Sequence, residues 1–193
     1  MNADLRRVVI IVALLNAAYF AVEFTVARAI GSVSLFADSV DFLEDASVNL
    51  LIAVALGWGA ANRARLGMAL AGILLVPGIA TLWTAWQKLL SPVPPAHLAL
   101  SLTGAGALAV NVGCAFMLAR VRAHSGSLTR AAFLSARNDA LANIAIIAAG
   151  FATAYAGSAW PDLAVGLGIA VLNADAAREV WSAARAEHAA ARS

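Results

Sequence analysis

Apolar residues run along the chain in long blocks, interrupted by short polar or turn-forming clusters. Six blocks stand out, at roughly 8–30, 33–57, 66–90, 97–119, 130–156 and 161–182. Each is near the ~20 residues that an α-helix needs to cross ~30 Å of hydrocarbon. Between alternate pairs of blocks lie Gly31-Ser32, Ser91-Pro92-Val93-Pro94-Pro95 and Gly157-Ser158-Ala159-Trp160-Pro161, all turn-like. The pattern predicts an all-α membrane protein of six transmembrane helices, a single transmembrane domain over 1–193 with no soluble domain. Pro77 is expected to kink the third helix. Trp83, Trp86 and Trp160 are expected at a membrane interface. The first block follows Arg6-Arg7 as a signal peptide would, but it ends in Ala27-Arg28-Ala29-Ile30-Gly31 without small-residue cleavage chemistry, so it is kept as a helix.

Composition supports this reading: 62% of residues are hydrophobic and 12% charged, against roughly 25% charged in soluble domains. Cys114 is alone in an apolar block, which rules out a disulfide framework and a cysteine metal cluster. The net charge of +2 comes from arginines at helix ends rather than from a basic stripe, so nucleic acid is not an expected partner. Those arginines set the topology instead. With the N-terminus inside, the cytoplasmic segments hold Arg6, Arg7, Arg63, Arg65, Arg120, Arg122, Arg130, Arg178, Arg185 and Arg192, and the outer ones only Arg28 and Lys88. Both termini are expected in the cytoplasm, and the membrane is taken as a bacterial inner membrane.

The two halves share a pattern. Asp45-Ala46-Ser47-Val48-Asn49-Leu50 in the second helix matches Asp139-Ala140-Leu141-Ala142-Asn143-Ile144 in the fifth. Asn16 precedes Asp45 by 29 positions and Asn111 precedes Asp139 by 28. A three-helix repeat crosses the membrane an odd number of times, so its second copy is inverted, and inverted repeats often place a substrate site at their interface near the midplane.

Ionisable groups inside a spanning helix cost roughly 2.5–3.5 kcal/mol each on insertion scales, so each should face a partner or a cavity. Glu23 lies in the first helix, Asp41, Glu44 and Asp45 in the second with Asp38 nearer its outer end, and Asp139 in the fifth. At ~100° per residue, Asp41 and Asp45 are about 40° apart, with Asp38 and Asn49 on the same flank. Ser135, Asp139 and Asn143 form a second polar stripe at the same spacing. Facing carboxylates repel in a low dielectric unless protons or a cation neutralise them. Carboxylate, amide and hydroxyl oxygens suit Mn, Mg, Fe or Co, and Zn also accepts carboxylates. Metal enters only as protons leave, which couples the two. Asn16, Asn49, Asn111 and Asn143 equally suit hydrogen bonds between helices. Glu23 and Glu44 are expected to pair structurally, and Arg137 points about 160° away from Asp139. His97, His124 and His188 lie at helix ends or in loops, where solvation is the expected role.

Around these residues the chain resembles a known family. Ser34-Leu35-Phe36-Ala37-Asp38-Ser39-Val40-Asp41-Phe42-Leu43-Glu44-Asp45 is similar to the second-helix motif of the cation diffusion facilitators. Ser135-Ala136-Arg137-Asn138-Asp139 resembles their fifth-helix His-x-x-x-Asp segment, and Asn16 to Glu23 and Trp160-Pro161-Asp162-Leu163 resemble further family segments. The resemblance implies a six-helix domain, usually dimeric, that exports Zn, Cd, Co, Fe or Mn, commonly against protons. Asp41 and Asp45 would match the second-helix ligands and Asp139 one fifth-helix ligand. Ser135 stands where the family usually has histidine, so Asn138, Asn143, Asp38 or water is left to complete the set. The metal is cargo, and no resident cofactor is expected.

A second departure is length: the family's cytoplasmic metal-binding domain is not expected after the sixth helix, nor is a His-rich loop between the fourth and fifth helices. Dimerisation would then fall to the membrane helices, with Gly67, Gly72, Gly166 and Gly168 as candidate surfaces. Two rivals stay open. A metal-dependent intramembrane enzyme would need basic residues around a diphosphate, and only Arg137 is available within the membrane. A membrane protein that binds metal without transporting it is the other.

Overall fold

A computed structural model describes residues 3–55, 62, 79–121 and 127–174, with the side chains of residues 127–135 outside the description. Helix α1 spans Ala3–Ile30, α2 Val33–Ala55, α4 His97–Val121 and α5 Ser127–Ala156. Residues 79–90 form α3 and Trp160–Ala174 form α6. The described residues include no strand, in keeping with the all-α expectation. Pro77, Gly67, Gly72, the Arg122–Gly126 part of the loop, His124, His188 and the arginines at 63, 65, 178, 185 and 192 lie outside the described residues, as do the far ends of the predicted second and sixth helices.

Among the described residues, three helices are long and apolar enough to cross a membrane: Asp4–Ile30, His97–Val121 and Ala136–Ala156. Helix α2 is 23 residues long but carries Asp38, Asp41, Glu44 and Asp45, which no lipid-facing helix would tolerate. Its burial answers that problem, since every residue from Ser32 to Val40 is buried. Beside its apolar core the bundle buries polar groups, and it leaves large apolar side chains exposed. Trp83, Trp86, Phe116, Phe151 and Leu172 are exposed, whereas Asn16, Glu23, Asp38, Asn49, Asn111, Asn143 and Asp162 are buried. Lipid accepts the first group, and helix contacts shelter the second.

Close approaches at small residues fix the packing. Helix α4 lies on α5 where Gly104 meets Ile146 and Ile147, and where Gly150 meets Ser101 and the His97 carbonyl. Helix α1 pairs with α2 through Tyr19 and Phe42, whose ring centres are 5.0 Å apart, and through Phe24 and Phe36 at 5.4 Å. Tyr19 also reaches α4, passing over Gly106 to donate its hydroxyl proton to the Thr103 carbonyl at 2.6 Å. Among these four helices, α1 also packs on α4 and α2 on α5, with a minor contact of α2 on α4. Helices at equivalent places in the two predicted repeats thus pair with each other, as a pseudo-two-fold between the halves requires. The shared motif repeats in its bonds as well. Asn49 Nδ2 donates to the Asp45 carbonyl at 2.8 Å and Asn143 Nδ2 to the Asp139 carbonyl at 2.8 Å.

Gly31 (φ 64°) and Gly157 (φ 58°) end α1 and α5 in the left-handed conformation that glycine adopts without strain. The turns they form, together with the end of α3, lie at one end of the bundle. Lys88 Nζ on α3 donates to the Gly31 carbonyl at 2.6 Å, and Asp162 of α6 bonds to Ser32. The three turns grouped on one side by the arginine count are therefore on one side in space.

Candidate metal site

Helix α2 carries its acids in two directions, and helical geometry explains why. Taking Asp38 as origin at ~100° per residue, Asp45 and Asn49 fall within about 20° of it, while Asp41 is about 60° and Glu44 about 120° to one side. The structure follows this division. Asp41 and Glu44 line a cavity of about 220 Å³ together with Asn138, Asp139 and Ala142 of α5 and Ile169, Leu172 and Asn173 of α6. Asp38 instead faces Glu23 of α1. Both carboxyls are fully buried and none of their oxygens meets a donor among the described residues, so a hydrogen bond between them requires one to carry a proton. Asp45, one turn beyond Asp41 along α2, is 6% exposed. It does not line the cavity.

The expected ligands therefore separate. Asp41 and Asp139 come together across α2 and α5, while Asp45 and Asp38 lie behind Asp41, near enough to interact with it electrostatically. Asn143 is buried one turn from Asp139, its amide nitrogen committed to the backbone and its Oδ1 without a partner among the described residues. Ser135 is helical within α5, its side chain outside the described set. Two further residues share the wall. Glu44, expected to pair structurally, is on the cavity wall, and Asn173 on α6, in no motif, is there as well. A helical wheel could have flagged Glu44 as the partner of Asp41 at i, i+3, but nothing local marks Asn173, whose position depends on how α6 packs.

Every polar side chain on the wall offers oxygen: three carboxylates and two amides. Such a set receives cations and repels anions. Arg137, the nearest basic residue in sequence, is exposed and donates from Nη2 to Asn138 Oδ1 at 3.3 Å. Among the described residues, no three carboxylate, imidazole or thiol groups converge tightly enough to enclose an ion as they stand. The cavity is a vestibule lined with oxygen donors, and enclosing a cation would require its walls to approach one another.

Compared with known protein families, the chain matches the cation efflux transmembrane domain over residues 9–186, which takes in the described helices apart from the start of α1. No curated protein matches it.

Proposed function

The chain belongs to the cation efflux family, the cation diffusion facilitators, and on that premise we propose that it exports a divalent metal cation in exchange for protons, by alternating access about the cavity between α2, α5 and α6. The observation that carries this reading is the meeting of Asp41 and Asp139, one from each half of the chain, on the wall of a single cavity. Two carboxylates supplied by opposite repeats place the cargo where the halves hinge, so rocking one against the other exposes it to alternate sides. Protons and metal compete for the same oxygens: the deprotonated site takes metal from the cytoplasm, and protons entering from outside displace it. The arginine distribution supports cytoplasmic termini.

Donor chemistry bears on the cargo. An oxygen-only wall favours Mn, Fe(II) or Co, and family membership adds Zn and Cd. Asp45, Ser135, Asn143 and Asp38 are candidate donors that join Asp41 and Asp139 as the cavity closes.

Reconstitution into liposomes with an enclosed metal indicator and a pH dye tests the reading. Wild type should take up at least one of these metals down its gradient with proton counterflow, and Asp41→Asn or Asp139→Asn should lower the rate at least about tenfold. Equal flux from wild type and both variants, for every metal, would sink it.

A further inference from the structure

The most fully bonded polar group in the described structure is outside the cavity. Asp162, in the first turn of α6, is completely buried. Its Oδ1 accepts from Ser32 Oγ at 2.6 Å, Ser34 Oγ at 2.6 Å and the Ser34 amide at 3.1 Å, and its Oδ2 accepts from the Val33 amide at 2.9 Å. The Leu35 amide donates to Ser32 Oγ at 3.2 Å. Helix α2 starts at Val33, so three of the amides that a helix leaves unsatisfied at its N-terminus are capped here, two of them by a carboxylate from a different helix. The negative charge also sits at the positive end of the α2 dipole. One turn on, Gly166 presses against the same place: a Cβ there would stand 2.7 Å from the Ser34 nitrogen and the Val33 carbonyl carbon.

Both helices continue from this clasp to the cavity. Asp41 follows Val33 by eight residues, or about 12 Å, and Asn173 follows Asp162 by eleven, or about 16 Å. We propose that Asp162 is a positioning residue: by clasping the start of α2 it makes α2 and α6 one unit, so that the α6 wall of the cavity keeps register with Asp41 and Glu44. This inference rests on the transport reading above. An isolated cap would have been satisfied by Ser32 alone. A remote carboxylate bonded at four points, with a glycine removing the space between the two helices, joins two elements that share a cavity.

The test replaces the clasp with a bond that can be opened. Ser34→Cys/Asp162→Cys, in a Cys114→Ala background, puts one thiol at the Ser34 Oγ position and the other at the Asp162 Cγ position, one bond short of the oxygen that Ser34 Oγ meets at 2.6 Å, so a small approach of the two helix starts closes a disulfide. In liposomes the oxidised protein should transport with the KM of the background protein. Reduction in place should raise KM for the metal by about tenfold, with Vmax changing much less. Asp162→Ala should match the reduced form and Asp162→Asn, which keeps one acceptor oxygen, should fall between. Hydrogen exchange at the Val33 and Ser34 amides should rise in Asp162→Ala. An unchanged KM on reduction overturns the proposal, and because that protein folds with its link closed, the result does not depend on Asp162→Ala folding. Asp41→Asn separates the two failures: if it transports normally the transport reading is wrong, and if it is inactive while reduction changes nothing, only the positioning role is wrong.

Discussion

At the scale of single residues, the acids of α2 illustrate what a periodicity reveals and where it stops. The i, i+4 rule groups Asp41 with Asp45, and both fall on the buried side of α2. It does not reveal that the neighbours change around the helix, so that about 60° of rotation turns a residue from Glu23 on α1 to the cavity wall shared with α5 and α6. Glu44 is the residue whose reading changes most. Because it shares the cavity with Asp41 and Asp139, Glu44→Gln is expected to weaken metal binding about tenfold without disturbing the packing of α2. A competition assay with a metal indicator, at constant pH, measures this directly, and unchanged affinity would make Glu44 part of the wall and no part of the site. Asp139 was legible from the repeat and the family motif together. Asn173 was not, because a lone amide on an apolar helix carries no local signal.

At the scale of elements, helix positions followed almost directly from hydrophobic block length. The described ends of α1, α4 and α5 lie within a few residues of the expected ones, because lipid thickness and glycine caps both act locally. Contacts between elements depend on shape, and there the sequence is quieter. Gly166 and Gly168 both read as candidate dimer surfaces, yet the structure uses them differently. Gly166 is consumed inside the chain against the start of α2, which removes it from any dimer surface, whereas a Cβ on Gly168 meets no atom within 4 Å among the described residues. The two should respond oppositely to the same substitution. Gly166→Ala forces its new carbon into backbone that cannot turn aside and should destabilise the protein by about 1–3 kcal/mol. Gly168→Ala gains helix propensity in open space and should stabilise by up to about 1 kcal/mol. Thermal unfolding in one detergent, with both variants side by side, decides it. A shift of the same sign in both would mean that α6 does not pack on α2 through Gly166.

At the scale of the whole molecule, α1 packs on α4 and α2 on α5, the pairing that the proposed three-helix repeat requires. An odd-numbered repeat puts equivalent helices in opposite senses through the membrane, so the side reached by each turn is fixed once one of them is known. The structure supplies the grouping, because Lys88 bonds Gly31 and Asp162 bonds Ser32, joining the end of α3 and the start of α6 to the α1–α2 turn. The direction belongs to the proposed function, in which the arginine-crowded ends face the cytoplasm. Together they make a prediction about single positions. In a Cys114→Ala background, Ser91→Cys, exposed in the turn after α3, should react with a membrane-impermeant thiol reagent in intact cells. Asp4→Cys, exposed at the start of α1, should react only after the cells are permeabilised. Reversal of both would invert the membrane orientation and turn the proposed export into uptake. Labelling of both from outside would contradict the bundle itself, since α1 could not then cross the membrane between its two ends.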